Sequence, residues 1–195
     1  MRGDGPKSEI TNPKWNMVIL FEDYYLLAVC KPAGLSTEGG DDQHPSVEAW
    51  ARAYMLAQHP RANVASVRAV HRLDRPVGGV LLLAKTKSAL TDLMGQFEQK
   101  TVQKTYWAAV KQPPIPSDGI LRHWLGRSPD GRSALVFDAE RPKTAYCELP
   151  YTTLKSEAGR TLLEVLPPTG RFHQIRAQLS AAGCPIIGDV RYGGV

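Results

Sequence analysis

The chain has 195 residues, of which 43% are hydrophobic and 22% charged, a composition typical of a globular protein with a buried core. Its formal net charge of +5 suits a polyanionic partner such as RNA, although many small enzymes are equally basic. Apolar runs such as Val80 to Ala84 are far too short to cross a bilayer. Cys30, Cys147 and Cys184 show no Cys-x-x-Cys spacing, which argues against a disulfide framework; we expect three buried thiols and a cytoplasmic protein.

The first part of the chain predicts two strands followed by a helix. The strands are "MVILFED" and "YLLAVCKPAG", joined by a turn at residues 22–24. Pro32 and Gly34 end the second strand, because proline cannot donate a hydrogen bond to a neighbouring strand. In "PSVEAWARAYMLAQHP" the apolar residues recur at helical spacing, with Ser46 as the N-terminal cap and Pro60 as the stop.

The rest of the chain alternates runs of strands with two more helices. "SVRAV" and "GGVLLLAK" predict strands, and the second is apolar throughout, which favours burial on both faces. "SALTDLMGQFEQK" predicts a helix with Leu90, Leu93, Met94 and Phe97 on one stripe. A last helix is predicted in "GRFHQIRAQLSAAG". The further strands are "VQKTYWAAVK", "GILRHWL", "SALVFD", "KTAYCEL" and "TLLEVL". This pattern predicts an α+β fold with a largely antiparallel, mixed sheet and a few flanking helices.

Three segments carry side chains suited to chemistry, and each also has an ordinary structural explanation. Asp74 in "HRLD" lies where a strand ends, and a tight turn alone would explain it. The last helix carries Arg171, His173 and Arg176 in its first two turns, where positive charge opposes the helix dipole; they need an anionic partner or else face solvent. Tyr106 either packs in the core or stacks on a flat base.

Taken together, these segments resemble a known enzyme family. The blocks "HRLDRPVGGVLLLAK" (71–85), "QKTYWAAVK" (103–111) and "PPTGRFHQIRAQLSAAGCPIIGDVRYG" (167–193) are similar to the RluA-type pseudouridine synthases, which convert uridine to pseudouridine in ribosomal and transfer RNA. "LLAVCKPAGLST" (26–37) is a fourth, weaker block. The resemblance implies a pseudouridine synthase catalytic domain over 15–195, preceded by a polar tail at 1–14.

The resemblance also implies a role for individual residues. Asp74 matches the catalytic aspartate, Tyr106 the tyrosine that stacks on the uracil, and Arg176 the arginine that pairs with the catalytic carboxylate. Arg72 matches the arginine that enters the RNA as the target nucleotide leaves it. The residues expected to contact RNA are Arg72, His71, Arg75, Arg171 and His173.

The chain departs from the family pattern at several points. Val77–Gly78–Gly79 stands where Thr-Ser-Gly is frequent, and Phe172 stands where threonine is common. Neither change replaces a group to which we assign chemistry. We expect no S4-like RNA-binding domain before the catalytic part, and the resemblance implies that the family continues with further strands after "GDVRYGG". We therefore expect a truncated C-terminus.

The implied reaction breaks the N1–C1′ bond of uridine, turns the base and joins C5 to C1′. It involves no redox change, so we expect no cofactor and no metal. Asp74 could attack a carbon as a nucleophile or remove the C2′ proton as a base, and the sequence leaves both routes open. The expected partner is ribosomal or transfer RNA. We expect the protein to be a monomer that does not associate with a membrane.

Two other classes of function compete with this one. A catalytically silent RNA-binding or ribosome-assembly factor could keep the same fold, although intact Asp74, Tyr106 and Arg176 argue against it. A hydrolase of glycosidic bonds normally needs two facing carboxylates, and only Asp74 stands in a context that resembles a site. The sequence does not reveal which uridine is modified.

Overall fold

The structure is a computed structural model that describes residues 17–39, 45–61 and 63–194. The chain divides between Thr101 and Val102 into two compact units, each with its own antiparallel sheet. The predicted α+β class is confirmed. The predicted tail at 1–14 lies outside the described residues, and one catalytic domain over 15–195 stays a prediction. None of the helices in the described ranges is long and apolar enough to cross a membrane.

The first unit contains a four-stranded sheet with strand order β1-β2-β4-β3. The predicted turn is present, since the Asp23 carboxylate accepts the backbone N–H groups of Tyr25 and Leu26, each at 2.7 Å. Val29 and Leu81 are paired across β2 and β4 and are fully buried. The elements are β1 Val18–Glu22, β2 Leu26–Lys31, α1 Val47–Gln58, β3 Arg68–Ala69, β4 Gly79–Ala84 and α2 Lys87–Glu98.

Two expectations for the first unit are wrong. Strand β4 is not buried on both faces, because Val80 is 56% exposed. Cys30 lies opposite Val80 in the β2–β4 ladder and is likewise exposed, so only Cys147 and Cys184 are the buried thiols we expected. In each case the apolar residue lies on a surface that its own unit leaves uncovered.

The second unit contains a five-stranded sheet with strand order β5-β9-β8-β6-β7. The side chains of β5 alternate between two faces, since Trp107 is 70% exposed and Ala108 only 4%. Helix α3 packs on the sheet, where Leu179 joins a cluster that includes the fully buried Leu149 and Leu163. The elements are β5 Tyr106–Val110, β6 Asp118–Arg127, β7 Ala134–Phe137, β8 Ala145–Glu157, β9 Arg160–Val165 and α3 Gln174–Ala181.

Helix α3 begins later than the sequence pattern predicts. His173 precedes it in the left-handed conformation, with φ of 52°, a geometry uncommon for residues other than glycine. Arg171 and His173 therefore lie before the helix, and the argument from the helix dipole applies to Arg176 alone. The predicted end is confirmed, since Gly183 follows the helix with φ of 76°.

Candidate active site

Asp74 lies in the loop between β3 and β4, which we call the Asp74 loop (residues 71–78). Its carbonyl accepts the N–H of Val77 at 2.9 Å, which closes the turn that the sequence predicted. A Cβ placed on Gly78 would lie 3.3 Å from the carbonyl oxygen of Lys31. This close approach suits glycine, because a larger residue would require the Lys31 carbonyl to shift slightly.

The segment after β2 holds the Asp74 loop on both sides of the aspartate. Thr37 Oγ1 donates to the carbonyl of Leu73 at 2.8 Å and accepts the N–H of Leu73 at 3.1 Å. The N–H of Gly34 donates to the carbonyl of Arg75 at 2.7 Å, and Arg75 Nε donates to the carbonyl of Gly34 at 3.0 Å. Three hydrogen bonds thus fix the backbone before and after Asp74, and a fourth fixes the side chain of Arg75.

Lys31 is a fully buried cation beside this loop. Its Nζ donates to the carbonyls of Leu35 at 2.7 Å, Pro32 at 3.1 Å and Arg75 at 3.3 Å. Burial lowers the pKa of the Lys31 ammonium, and the negative charge of Asp74 opposes that shift. Sequence reasoning missed Lys31; the signal for it was a lysine ending an otherwise apolar strand in the weakest matching block.

The other predicted RNA contacts of the first unit have different surroundings. Arg72 forms an ion pair with Glu38 at 2.8 Å, and the two side chains are 69% and 49% exposed. The half-buried ring of His71 stacks on Phe97 at a centroid distance of 4.9 Å, and its Nε2 accepts the N–H of Leu82 at 3.2 Å. These contacts tie His71 to α2 and β4, and RNA contacts by His71, Arg72 and Arg75 stay predictions.

In the second unit, Arg176 is held by a carboxylate that the sequence did not indicate. Its Nε and Nη2 donate to Asp189 Oδ2 at 2.7 Å and Oδ1 at 2.8 Å, a bidentate pair whose side chains are 10% and 9% exposed. Hydrogen bonding to Arg176 lowers the pKa of Asp189. The guanidinium carbon also lies 5.1 Å from the ring centroid of Tyr192. Asp189 belongs to "GDVRYG", a matching segment to which we assigned no role.

The residues before α3 are fixed by contacts to Tyr192. Its hydroxyl oxygen accepts the N–H of Ala134 at 2.7 Å and lies 2.8 Å from His173 Nδ1. A phenol hydroxyl can both donate and accept, so Tyr192 links Ala134 and His173 through a single group. Phe172 stacks on the His173 ring at 3.8 Å. These contacts hold residue 173 in its left-handed conformation.

Gln174 orders the loop between β9 and α3. Its Oε1 accepts from Thr169 Oγ1 at 2.8 Å and from the N–H of Arg171 at 3.0 Å, while its Nε2 donates to the carbonyl of Glu148 at 2.8 Å. Lys104 Nζ donates to the carbonyl of Thr169 at 3.1 Å. The segment that carries Arg171 and His173 is therefore attached to β8 and to the residues that precede β5.

Tyr106 is the first residue of β5, paired with Val165 and half-buried against the core of the second unit. Stacking of Tyr106 on a base stays a prediction. Asp74 belongs to the first unit, whereas Tyr106 and Arg176 belong to the second, so the pairing of Arg176 with Asp74 also stays a prediction. Within the described ranges, no cluster of three or more His, Cys, Asp or Glu residues could hold a metal ion.

Comparison with known proteins gives consistent matches. Residues 25–181 match the family model described as RNA pseudouridylate synthase. The ribosomal large subunit pseudouridine synthase C of Rickettsia typhi is 35% identical over 90% of this chain and 56% of its own length. The ribosomal large subunit pseudouridine synthase D of Nitrosomonas europaea is 37% identical over 90% of this chain and 49% of its own length. The chain thus spans about half the length of these curated relatives.

Two solved human structures share the fold. The human RNA pseudouridylate synthase domain containing 4 superimposes with a TM-score of 0.75 at 28% identity, covering 90% of this chain and 68% of the other. The human RNA pseudouridylate synthase domain containing 1 superimposes with a TM-score of 0.74, covering 98% of this chain and 74% of the other. At 24% identity the second match speaks for the fold alone.

Proposed function

The chain belongs to the RNA pseudouridylate synthase family, and we propose on that basis that it isomerises uridine to pseudouridine in ribosomal RNA. The names of its relatives from Rickettsia typhi and Nitrosomonas europaea support a substrate in the large ribosomal subunit, and transfer RNA is the alternative substrate. The observation that carries the proposal is the Asp74 loop, in which an aspartate is fixed on both sides and lies within electrostatic range of the buried Lys31.

In the proposed reaction Asp74 acts at the ribose. The N1–C1′ bond breaks, the detached uracil rotates, C5 bonds to C1′, and the proton on C5 is lost while N1 regains one. Asp74 serves either as the nucleophile at a ribose carbon or as the base that removes the C2′ proton. A carboxylate covered by a bound nucleotide loses its hydration, and the Lys31 ammonium supplies positive charge that offsets this loss.

The target uridine must leave the base stack before Asp74 can reach its ribose. Extrusion costs a few kcal/mol, and stacking of the extruded base on Tyr106 would return about 1–3 kcal/mol. Arg72 is proposed to fill the vacated position in the RNA. Its ion pair with Glu38 is exposed, and such pairs contribute only about 0–1 kcal/mol, so Arg72 can leave Glu38 at little cost.

Arg176 is proposed as the cation that pairs with the catalytic carboxylate. Its bidentate bond to Asp189 fixes the plane of the guanidinium before substrate binds, and preorganised charge lowers the cost of stabilising a transition state. Asp189 is then a positioning residue. Arg75, Arg171, His71 and His173 remain proposed contacts to RNA.

The proposal is tested by replacing the catalytic carboxylate with its amide. We expect Asp74→Asn to abolish pseudouridine formation in large-subunit RNA while RNA binding is retained, because the amide keeps the size of the side chain and loses its charge. Carbodiimide-dependent stops of reverse transcription map the product, with a transfer RNA pool as a second substrate. Asp92→Asn on the exposed face of α2 is the matched control, since Asp92 contacts Gln96 within its own helix.

Two results would contradict the proposal. Wild-type activity in the Asp74→Asn variant would remove the catalytic role of Asp74. Binding of RNA by the wild-type chain, with no pseudouridine in either RNA, would favour the catalytically silent RNA-binding factor.

A further inference from the structure

We propose that Arg127, together with Arg171, forms a binding surface for the RNA backbone on the second unit. We call this surface the Phe172 platform and define it by Arg127, Arg171 and Phe172. The inference rests on the proposed function, because it assigns the RNA that the enzyme modifies as the ligand. Arg127 lies outside every segment that suggested RNA contact in the sequence.

The guanidinium of Arg127 lies over an aromatic ring, although the residue itself is exposed at the end of a strand. It is the last residue of β6 and is exposed, and its guanidinium carbon lies 4.2 Å from the centroid of the Phe172 ring. Phe172 is half-buried and packs on the cluster of Leu125, Ala134, Cys147 and Ala177. The ring therefore has a fixed position, and its face holds the guanidinium against a packed surface instead of leaving it to sample solvent.

Arg171, the residue before Phe172 in the chain, adds a second guanidinium. It is exposed, and its Nε donates to the carbonyl of Tyr146 at 3.4 Å. In the part of the chain that the structure describes, no carboxylate forms an ion pair with Arg127 or Arg171. By contrast, Arg122 on the same strand as Arg127 is paired with Glu148 at 3.1 Å. The platform thus keeps two positive charges uncompensated by protein acids.

The chemistry of the platform fits phosphates of single-stranded RNA. A guanidinium presents parallel N–H donors that match two phosphate oxygens, and an arginine ordered by an aromatic ring loses less freedom on binding. The net charge of +5 adds long-range attraction for a polyanion. Phe172 supplies the ring, so the cation–π contact with Arg127 depends on this side chain.

The test measures binding of a fluorescent 30-nucleotide polyuridylate by anisotropy over a series of KCl concentrations. We expect Arg127→Gln to weaken binding about fivefold near 0.1 M salt and to reduce the slope of log affinity against log salt by about 0.7, the loss of one phosphate contact. Phe172→Thr keeps the charge and removes the ring, so it should weaken binding by a smaller factor. Circular dichroism and thermal unfolding show that each variant is folded.

Arg160→Gln is the matched control, because Arg160 is an exposed arginine at the start of β9 in the same unit. It should leave both the affinity and the salt slope close to those of wild type. Equal losses in Arg127→Gln and Arg160→Gln would overturn the inference, because net charge alone would then explain both. A wild-type chain that fails to bind polyuridylate would overturn it as well.

The binding readout separates this inference from the proposed function. If Arg127→Gln selectively weakens binding but the wild type makes no pseudouridine, the platform stands and the enzymatic proposal fails. If pseudouridine forms and Arg127→Gln binds as tightly as wild type, the platform alone is wrong.

Discussion

Lys31 places a full charge where the first unit has no solvent. Its Nζ meets three carbonyl oxygens, which satisfies its donors but does not neutralise its charge, and Asp74 is the anion whose field acts on it. Buried lysines of this kind are costly unless something compensates them. The free-energy cost of burying this ammonium occurs next to the candidate catalytic aspartate. We therefore assign Lys31 a role in positioning Asp74.

Lys31→Met tests this role at a single residue. The substitution keeps an unbranched side chain, one atom shorter, and removes the ammonium, so the three carbonyls lose their donor and Asp74 loses its nearby positive charge. We expect the unfolding free energy to fall by about 2–4 kcal/mol and pseudouridine formation to drop strongly. Urea unfolding and the stop assay measure the two effects, with the exposed Lys87→Met as control. A stable, fully active Lys31→Met variant would refute the assignment.

The ion pair of Asp189 with Arg176 predicts how the unfolding free energy depends on pH. The pKa of Asp189 in the folded chain is lowered, chiefly by the hydrogen bonds from Arg176, so the folded state favours the ionised form. The resulting stability is fully present above the unfolded pKa of about 3.9 and is lost as pH falls through the lower folded pKa. Asp189→Asn should therefore cost about 3 kcal/mol near neutral pH and progressively less in acid.

The measurement is the unfolding free energy of wild type and Asp189→Asn from about pH 7 to about pH 2. The gap between the two curves should narrow below about pH 4. A gap of constant size across this range would show that the pair does not depend on the charge of Asp189. Asp92→Asn is the control, since Asp92 lies on the exposed face of α2 and contacts Gln96 within its own helix.

At the level of elements, the Asp74 loop is held by the segment after β2 and hardly at all by its own strand. β3 has only two residues, shorter than the strand that "SVRAV" predicted. Thr37 makes up for this with its two hydrogen bonds to Leu73. The position of Asp74 is thus determined by a contact between residues that are far apart in the chain.

Thr37→Val tests this contact, since it preserves the shape of the side chain and removes both hydrogen bonds. We expect a loss of about 1–3 kcal/mol in stability, because the buried backbone groups of Leu73 lose their partner. The Leu73 amide should exchange with solvent faster, and pseudouridine formation should slow. Thr152→Val on the exposed face of β8 should change none of these. Unaltered protection of the Leu73 amide would contradict the account.

The sequence pattern correctly predicted features that depend on residues close together in the chain, such as the N-terminal cap of α1. Ser46 was expected to cap α1, and its Oγ accepts the N–H of Ala49 at 3.2 Å. The predicted start of α3 was wrong, because the left-handed conformation of His173 depends on Tyr192, which lies nineteen residues further along the chain. The predicted burial of Val80 was wrong for a similar reason, because an apolar run does not indicate which of its two faces other elements cover.

For the molecule as a whole, the sequence identified the family and the candidate chemical groups but not their supports. Asp74, Tyr106 and Arg176 lie in motifs long enough to be specific. Lys31 and Asp189 act on Asp74 and Arg176 through the fold, and no spacing in the sequence predicts such contacts. The same limit applies to Arg127, whose link to Phe172 joins the end of β6 to the loop before α3.

The central claim, that Asp74 drives the isomerisation of uridine in RNA, is tested most directly by following the hydrogen on C5. Large-subunit RNA carrying tritium at C5 of uridine releases that label only when C5 bonds to C1′. At equal RNA occupancy, we predict release by the wild-type chain and by Asp92→Asn, and none by Asp74→Asn. Release of tritium by Asp74→Asn at the wild-type rate would contradict the claim.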